Sequence, residues 1–437
     1  MPLLTRLLYI AYSAGFELAT WLVLVPWTLG RSILGSTSRS ELGQRLARSR
    51  LCSAKAGPRI LIHAVSVGEM VAADVLIGAL VRVLPTVQVI LTSGNRHGWE
   101  AGRALQAKHH QVQEVWLLPW DRRGPLTRWL KALRPDLVAV VETELWPNLF
   151  LSCRDLRLPL CLVNGRIYPR DVPGYRLARP FFKPALDCVS RFWVQSEAEK
   201  VRFCQVGAEP ERVSVAGNLK FDAALEPCRE PGLTLSRRPV IVAGSTHAPE
   251  EGWILDAVYP LRAEFPAILL VIAPRHPRRA PSISSEASRW GLSVTRFSEV
   301  AGRPIESDVL ILDKMGVLNS FYQMADVAVI GGSLSPCGGH NLLEPAARAC
   351  SIIMGPHYEH FRDIVDDLQS AGALVLLGDR RELSTALGRL LGDPELRREL
   401  GHRARTAVTK RAGVADRYAR HLAQLLSPAA AGVQLPG

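Results

Sequence analysis

The chain has 437 residues, 48% hydrophobic and 22% charged, a globular balance too long for one core, so two domains of roughly 180 to 200 residues are expected. Its formal net charge of +12 directs attention to phosphate-bearing partners, but no Lys/Arg block interleaved with aromatic residues is present, which disfavours a nucleic acid polymer. The eight cysteines (Cys52, Cys153, Cys161, Cys188, Cys204, Cys228, Cys337, Cys350) contain no CxxC pair, which disfavours a zinc site and fits reduced thiols in a cytosolic setting.

From Leu7 to Leu29 the chain is apolar and aromatic (LLYIAYSAGFELATWLVLVPWTL), flanked by Arg6 and Arg31, and about long enough to cross a bilayer. Glu17 in its middle opposes burial in hydrocarbon, and no small-residue cleavage site marks a signal peptide. The segment reads as a retained anchor, either spanning the membrane or lying in the interface with Trp21 and Trp27 near the headgroups. The basic residues that follow, Arg31, Arg39, Arg45, Arg48 and Arg50, suit the anionic cytoplasmic leaflet. The competing reading is a hydrophobic helix packed on the protein itself.

Strand-like and helix-like segments then alternate as in a parallel sheet covered on both faces. The expected strands are 59–65, 87–92, 115–118, 137–141, 160–163 and 192–194, with a helix over about 68–84 after the first. The proline-rich, charged stretch LEPCREPGLTLSRRP, 225–239, reads as a linker. A second alternation follows, with strands at 240–243, 268–272, 309–312, 327–330, 352–354 and 374–376. Two Rossmann-like halves facing across a cleft, with ligands at the carboxyl ends of both sheets, are the expected architecture. The segment 394–426 is helical and basic, and its final part is expected to pack back onto the first half.

Candidate chemistry clusters at strand ends. Glu69 opens the helix after the first strand, where a carboxylate can serve as a general base or simply complement the helix dipole. Glu142 and Glu144 leave the 137–141 strand at alternate positions, hence on one face, or one of them caps the helix restarted at Trp146-Pro147. Lys220, in GNLKFD, offers a charge to a leaving group or sugar acid, or forms an ordinary ion pair with Asp222. Arg275, in PRHP, is presented rigidly for phosphate or carboxylate capture, or belongs to a solvated basic turn. The loop GGSLSPCGGHNLLEPA, 331–346, follows an apolar strand and leads into a helix expected to begin near His340 or Asn341. Its glycines and helix N-terminus suit a phosphate, with Glu344 placed for ribose hydroxyls; a plain strand-to-helix turn is the alternative.

Taken together and in this order, HAVSVGE (63–69), VETELWPN (141–148), NGR (164–166), GNLKFD (217–222), AGSTH (243–247), APRHP (273–277) and GGSLSPCGGHN (331–341) resemble the 3-deoxy-D-manno-octulosonic acid (Kdo) transferase family of lipopolysaccharide synthesis. The resemblance is dense from Arg59 to Pro356 and includes the hydrophobic N-terminus. It implies an α/β protein of the GT-B fold and an inverting glycosyltransferase that moves Kdo from CMP-Kdo to the lipid A precursor at the inner membrane, catalytic domains on the cytoplasmic side. By the family pattern Glu69 is the proton acceptor, with Ser66 and Gly68 shaping its loop, while Glu142 and Lys220 stabilise the transition state. CMP is then held by Pro274 and Arg275, by Met315, Gly316 and Val317, and by Asn341, Leu342, Leu343 and Glu344.

The domains implied are an anchor with its basic flank (1–50), an acceptor domain (51–224), the linker (225–239), a donor domain (240–405) and a returning C-terminal helix with a tail (406–437). No cofactor is expected, and no DxD-type motif is placed for a divalent metal; a leaving group with one phosphate is within reach of Arg, Lys and a helix N-terminus. The family's Met-Gly-acid is Met315-Gly316-Val317 here, and the glycine usual before the paired acids Glu250-Glu251 is Pro249. The alternatives are a GT-B enzyme using a nucleotide diphosphate sugar and a non-catalytic membrane-associated protein of the same fold.

Overall fold

The computed structural model describes residues 3–33, 39–48, 56–228, 232–233, 239–300 and 304–426. They form two compact units, Met1–Ala223 with Gly413–Gly437, and Ala224–Ala412. Of the expected linker, 229–231 and 234–238 lie outside the described residues, as do Cys52, the tail from 427, Arg50 and the side chains of Arg31 and Arg39.

In the first unit, β1 (Arg59–His63), β2 (Gln88–Ser93), β3 (Val112–Leu117), β4 (Leu137–Val141), β5 (Leu160–Gly165), β6 (Arg191–Val194) and β7 (Val213–Val215) form one parallel sheet. Their order is β3-β2-β1-β4-β5-β6-β7. Strands buried on both faces read as near-continuous apolar runs, and their alternation sends side chains to two cores. Leu61, Ile90, Val138 and Leu162 enter one; Ile60, Ile62, Val89 and Ala139 enter the other. The strand order reverses between β1 and β4, which pair from Ile60 with Leu137 to His63 with Val140. The loops leaving these two strands therefore emerge side by side, the usual place for a ligand in such a sheet.

Helix Val414–Leu426 returns to this unit and packs on helix Val67–Val83. Its buried Tyr418 hydroxyl accepts the Asn164 N–H at 3.0 Å and lies 3.0 Å from the Gly217 carbonyl oxygen, fastening the loop that carries Lys220.

The N-terminal segment forms helix Leu3–Ala19, one π-helical turn at Thr20–Leu24 and helix Val25–Ile33. One face is docked on the first unit. Tyr9 is buried, its hydroxyl donating to the Phe181 carbonyl at 2.6 Å, and Tyr12 donates to Asp121 at 2.8 Å. Ser13 donates to the Asn148 side chain at 3.0 Å, and Glu17 accepts both arms of the Arg122 guanidinium. Leu7, Ile10, Leu18, Leu22 and Trp27 on the other side are exposed.

In the second unit, β8 (Val240–Thr246), β9 (Leu269–Pro274), β10 (Val294–Arg296), β11 (Val309–Ile311), β12 (Val327–Ile330), β13 (Ser351–Met354) and β14 (Val375–Leu376) form another parallel sheet, ordered β10-β11-β9-β8-β12-β13-β14. Here the reversal falls between β8 and β12, paired from Val327 with Ile241 to Ile330 with Gly244. The glycine-rich loop after β12 thus lies beside the loop after β8. The three-residue strands β7 and β10 were not expected, because so short a run carries little periodicity.

Candidate active site

Glu69 occupies the third position of helix Val67–Val83, whose N-cap is Ser66. The Val65 N–H donates to Glu69 Oε2 at 2.7 Å, the Ser66 hydroxyl lies 3.1 Å from Oε1, and the Glu69 N–H returns to that hydroxyl at 3.3 Å. This closed set is close to a capping box, so the structural reading of Glu69 holds. The carboxyl is also shifted in its titration. Burial, reinforced by the charges of Glu142 and Glu144, pushes the carboxyl up to about 7 against the opposing pull of Val65 N–H and Ser66. A half-buried carboxyl near 7 is matched to taking a proton from a hydroxyl.

Glu142 does not continue β4. Its φ of 59° places it in the left-handed region, so the expected alternation of Glu142 and Glu144 on one strand face does not hold. Neither acid caps helix Pro147–Asp155, whose N-cap is Trp146 with no side-chain bond. The turn instead brings the Glu142 carboxylate to 3.7 Å from Lys220 Nζ. The alternative reading, an ion pair of Lys220 with Asp222, does not hold. Asp222 accepts the N–H groups of Gly413 at 2.9 Å and Val414 at 3.1 Å and so caps the returning helix. Lys220 is presented by a network in which the Asn218 side chain accepts its N–H at 3.0 Å, and Asn164 that of Leu219 at 3.0 Å.

The loop after β12 departs from expectation. Its helix spans only Leu343–Ala347, because Gly338 and Gly339 take positive φ and the Asn341 side chain accepts the Leu343 N–H at 3.2 Å, keeping 340–342 out of the helix. Leu342 and Leu343 bury their side chains in the core, leaving only backbone for a ligand. Glu344 accepts from Asn341 at 3.1 Å, and burial raises its carboxyl above the usual range. The loop's own amides are largely engaged. The fully buried Glu250 carboxylate accepts N–H groups from Gly332 at 2.7 Å, Leu334 at 3.0 Å, Ser335 at 3.0 Å and, after β8, His247 at 2.9 Å.

Arg275 projects from the end of β9 into solvent, beside the buried Pro274, its N–H held by the Thr246 carbonyl at 2.9 Å. Met315 is exposed, Gly316 has positive φ, and Val317 packs against the core around Phe321, so a contact there comes from Gly316 and backbone. Two residues left without a role by the sequence reading stand between these parts. His247 and His340 approach through their Nε2 atoms at 2.8 Å. Their signal lay in AGSTH and GGHN, a histidine at each strand-end loop on either side of the reversal. Among the described residues no group of three or more ligating side chains is arranged for a metal ion.

Two Rossmann-like units define an α/β protein of the GT-B class, and a glycosyltransferase from Rickettsia africae shares the fold at TM-score 0.55 and 11% identity, covering 85% of this chain and 98% of that one. Residues 40–223 match the family model for 3-deoxy-D-manno-octulosonic-acid transferase (kdotransferase). The transferase of that name from Bordetella pertussis is 32% identical over 367 residues, 82% of this chain and 85% of the relative. That from Haemophilus influenzae is 29% identical over 406 residues, 91% and 93% of the two chains. The chain belongs to the Kdo transferase family, and its activity is the transfer of Kdo.

Proposed function

We propose that the enzyme transfers Kdo from CMP-Kdo to the lipid A precursor, lipid IVA, with inversion, the first unit taking the acceptor and the second the donor. The observation that carries this reading is Glu69, a carboxyl held near 7 at the mouth of β1 beside the Glu142–Lys220 pair. Glu69 takes the proton as the acceptor hydroxyl oxygen attacks the anomeric carbon. The bond from that carbon to the phosphate oxygen breaks, and its electron pair leaves with CMP. Positive charge developing on the sugar ring is met by Glu142, and Lys220, held by Glu142, balances the sugar carboxylate. CMP rests on Pro274 and Arg275, on Met315 to Val317 and on Asn341 to Glu344.

Location at the cytoplasmic face of the inner membrane follows from the same reading. Thr5–Gly30 is long and apolar enough to cross a membrane. Its docked polar face favours an interfacial anchor with Trp21 and Trp27 at the headgroups. Incubating the purified full-length enzyme with labelled CMP-Kdo and lipid IVA, then weighing the lipid by mass spectrometry, tests the assignment. A product without added Kdo would sink it.

A further inference from the structure

With the amides of Gly332, Leu334, Ser335 and His247 committed to Glu250, an arriving anion meets side chains in place of a glycine cradle. The side chains at that spot are His247 and His340, whose rings are 7° from parallel with Nε2 atoms 2.8 Å apart. At that distance one ring donates and the other accepts, so the neutral pair presents one further N–H and can acquire another at its remaining bare nitrogen. The surroundings are basic. His276 stands edge-on to His247 with centroids 6.1 Å apart, and burial, with His247, Arg275 and His360 as neighbours, holds His340 down at about 4.

Acids nearby are occupied: Glu250 by backbone, Glu251 by Arg279 at 2.5 Å. Among the described residues the Arg275 guanidinium has no acidic partner. The glycines serve this arrangement directly. A Cβ on Gly332 would come within 2.8 Å of His340 Cδ2, and one on Gly338 within 2.5 Å of His360 Nδ1, so these glycines admit imidazole rings.

We propose that His247 and His340, joined ring to ring and backed by Arg275, form an anion subsite for the donor, receiving its phosphate or the carboxylate of its sugar. The subsite rests on the donor-binding reading of the second unit and adds two residues to it. The test uses the full-length enzyme in detergent, with calorimetric titration of CMP and of CMP-Kdo into wild type, His247→Gln, His340→Gln and the double variant. Loss of a charge-assisted hydrogen bond predicts about tenfold weaker binding or more in the double variant. Weakening of both ligands places the phosphate at the subsite; weakening of CMP-Kdo alone places the carboxylate there. Unchanged affinity for both in a variant that melts like wild type overturns the proposal. A wild type that binds neither ligand counts against the donor reading, and the subsite is then judged by inorganic phosphate. Phosphate must shift the imidazole nitrogen resonances of His247 and His340 in the wild-type enzyme, and unmoved resonances reject it.

Discussion

The Glu142 carboxylate and the Lys220 ammonium stand 3.7 Å apart, with side chains only 18% and 24% exposed. Asp222, the nearer acid in sequence, is engaged in capping helix Val414–Leu426. Lys220→Met is expected to lower kcat by about 100-fold or more while CMP affinity is retained, since an electrostatic group acting on developing charge is lost. Asp222→Asn is expected to leave kcat within a few-fold and to cost about 1 kcal/mol of stability through the cap. Comparable losses of activity in both variants would assign Lys220 a structural role.

Glu69→Gln retains an oxygen for the Val65 N–H and removes the proposed base. Transfer is expected to fall by roughly 100-fold to 10,000-fold with CMP binding intact, the usual contribution of a positioned base. Near-normal turnover by a correctly folded Glu69→Gln enzyme would reduce Glu69 to its capping role.

The pH dependence follows from the same carboxyl. The proposed base works deprotonated, so kcat/KM for the acceptor is expected to decline as pH drops through about 7. The charge of Glu144 is part of the upward push, so Glu144→Gln moves this limb to lower pH; a limb that stays put belongs to another group. Stability carries the opposite sign. Because the folded carboxyl titrates above its unfolded counterpart, the native state holds a proton that the unfolded chain has released, and stability drains as pH climbs from the ordinary carboxylate range towards about 7. The melting temperature of Glu69→Gln relative to wild type is therefore expected to be higher at about pH 8 than at about pH 5.

Strands β4 and β12 were legible to the residue, because each is a run of apolar residues bounded by polar or glycine-rich stretches. The strand-end positions of Glu69, Arg275 and the glycine loop were legible for the same reason. The partners of these residues were not. Asp222 finds its donors 191 and 192 residues away and Glu250 finds loop amides 82 to 85 residues away, and no spacing rule reaches that far. The left-handed turn at Glu142 hid its approach to Lys220, since a period of two says nothing once the strand has stopped.

The exposed side of the N-terminal helices gives a further expectation. Leu22 and Trp27 are 65% and 58% exposed, and burying such side chains in lipid is worth roughly 1.5 to 3 kcal/mol each. Leu22→Ser with Trp27→Ser is expected to release the enzyme into the soluble fraction after a high-pH wash of the membranes, whereas Tyr12→Phe leaves it bound. Retention of the double variant through that wash would indicate a spanning segment.

Glu250→Gln places an amide NH2 among four N–H donors. It is expected to destabilise the enzyme by about 1 to 3 kcal/mol, the cost of unsatisfied buried polar groups. The KM for CMP-Kdo is expected to rise more than kcat falls, and equal changes in both would remove Glu250 from any part in donor binding.

That buried carboxylate also bears on how the donor is received. A loop of bare amides would stay unordered until a phosphate arrived, and part of the binding free energy would go into arranging it. Here an internal anion arranges the loop while the unit itself folds, so the entropy of ordering is settled before any ligand is met. Donor binding by this enzyme is accordingly expected to be a rigid capture at this loop, with amide exchange at Gly332, Leu334 and Ser335 equally slow in the free and the CMP-bound states.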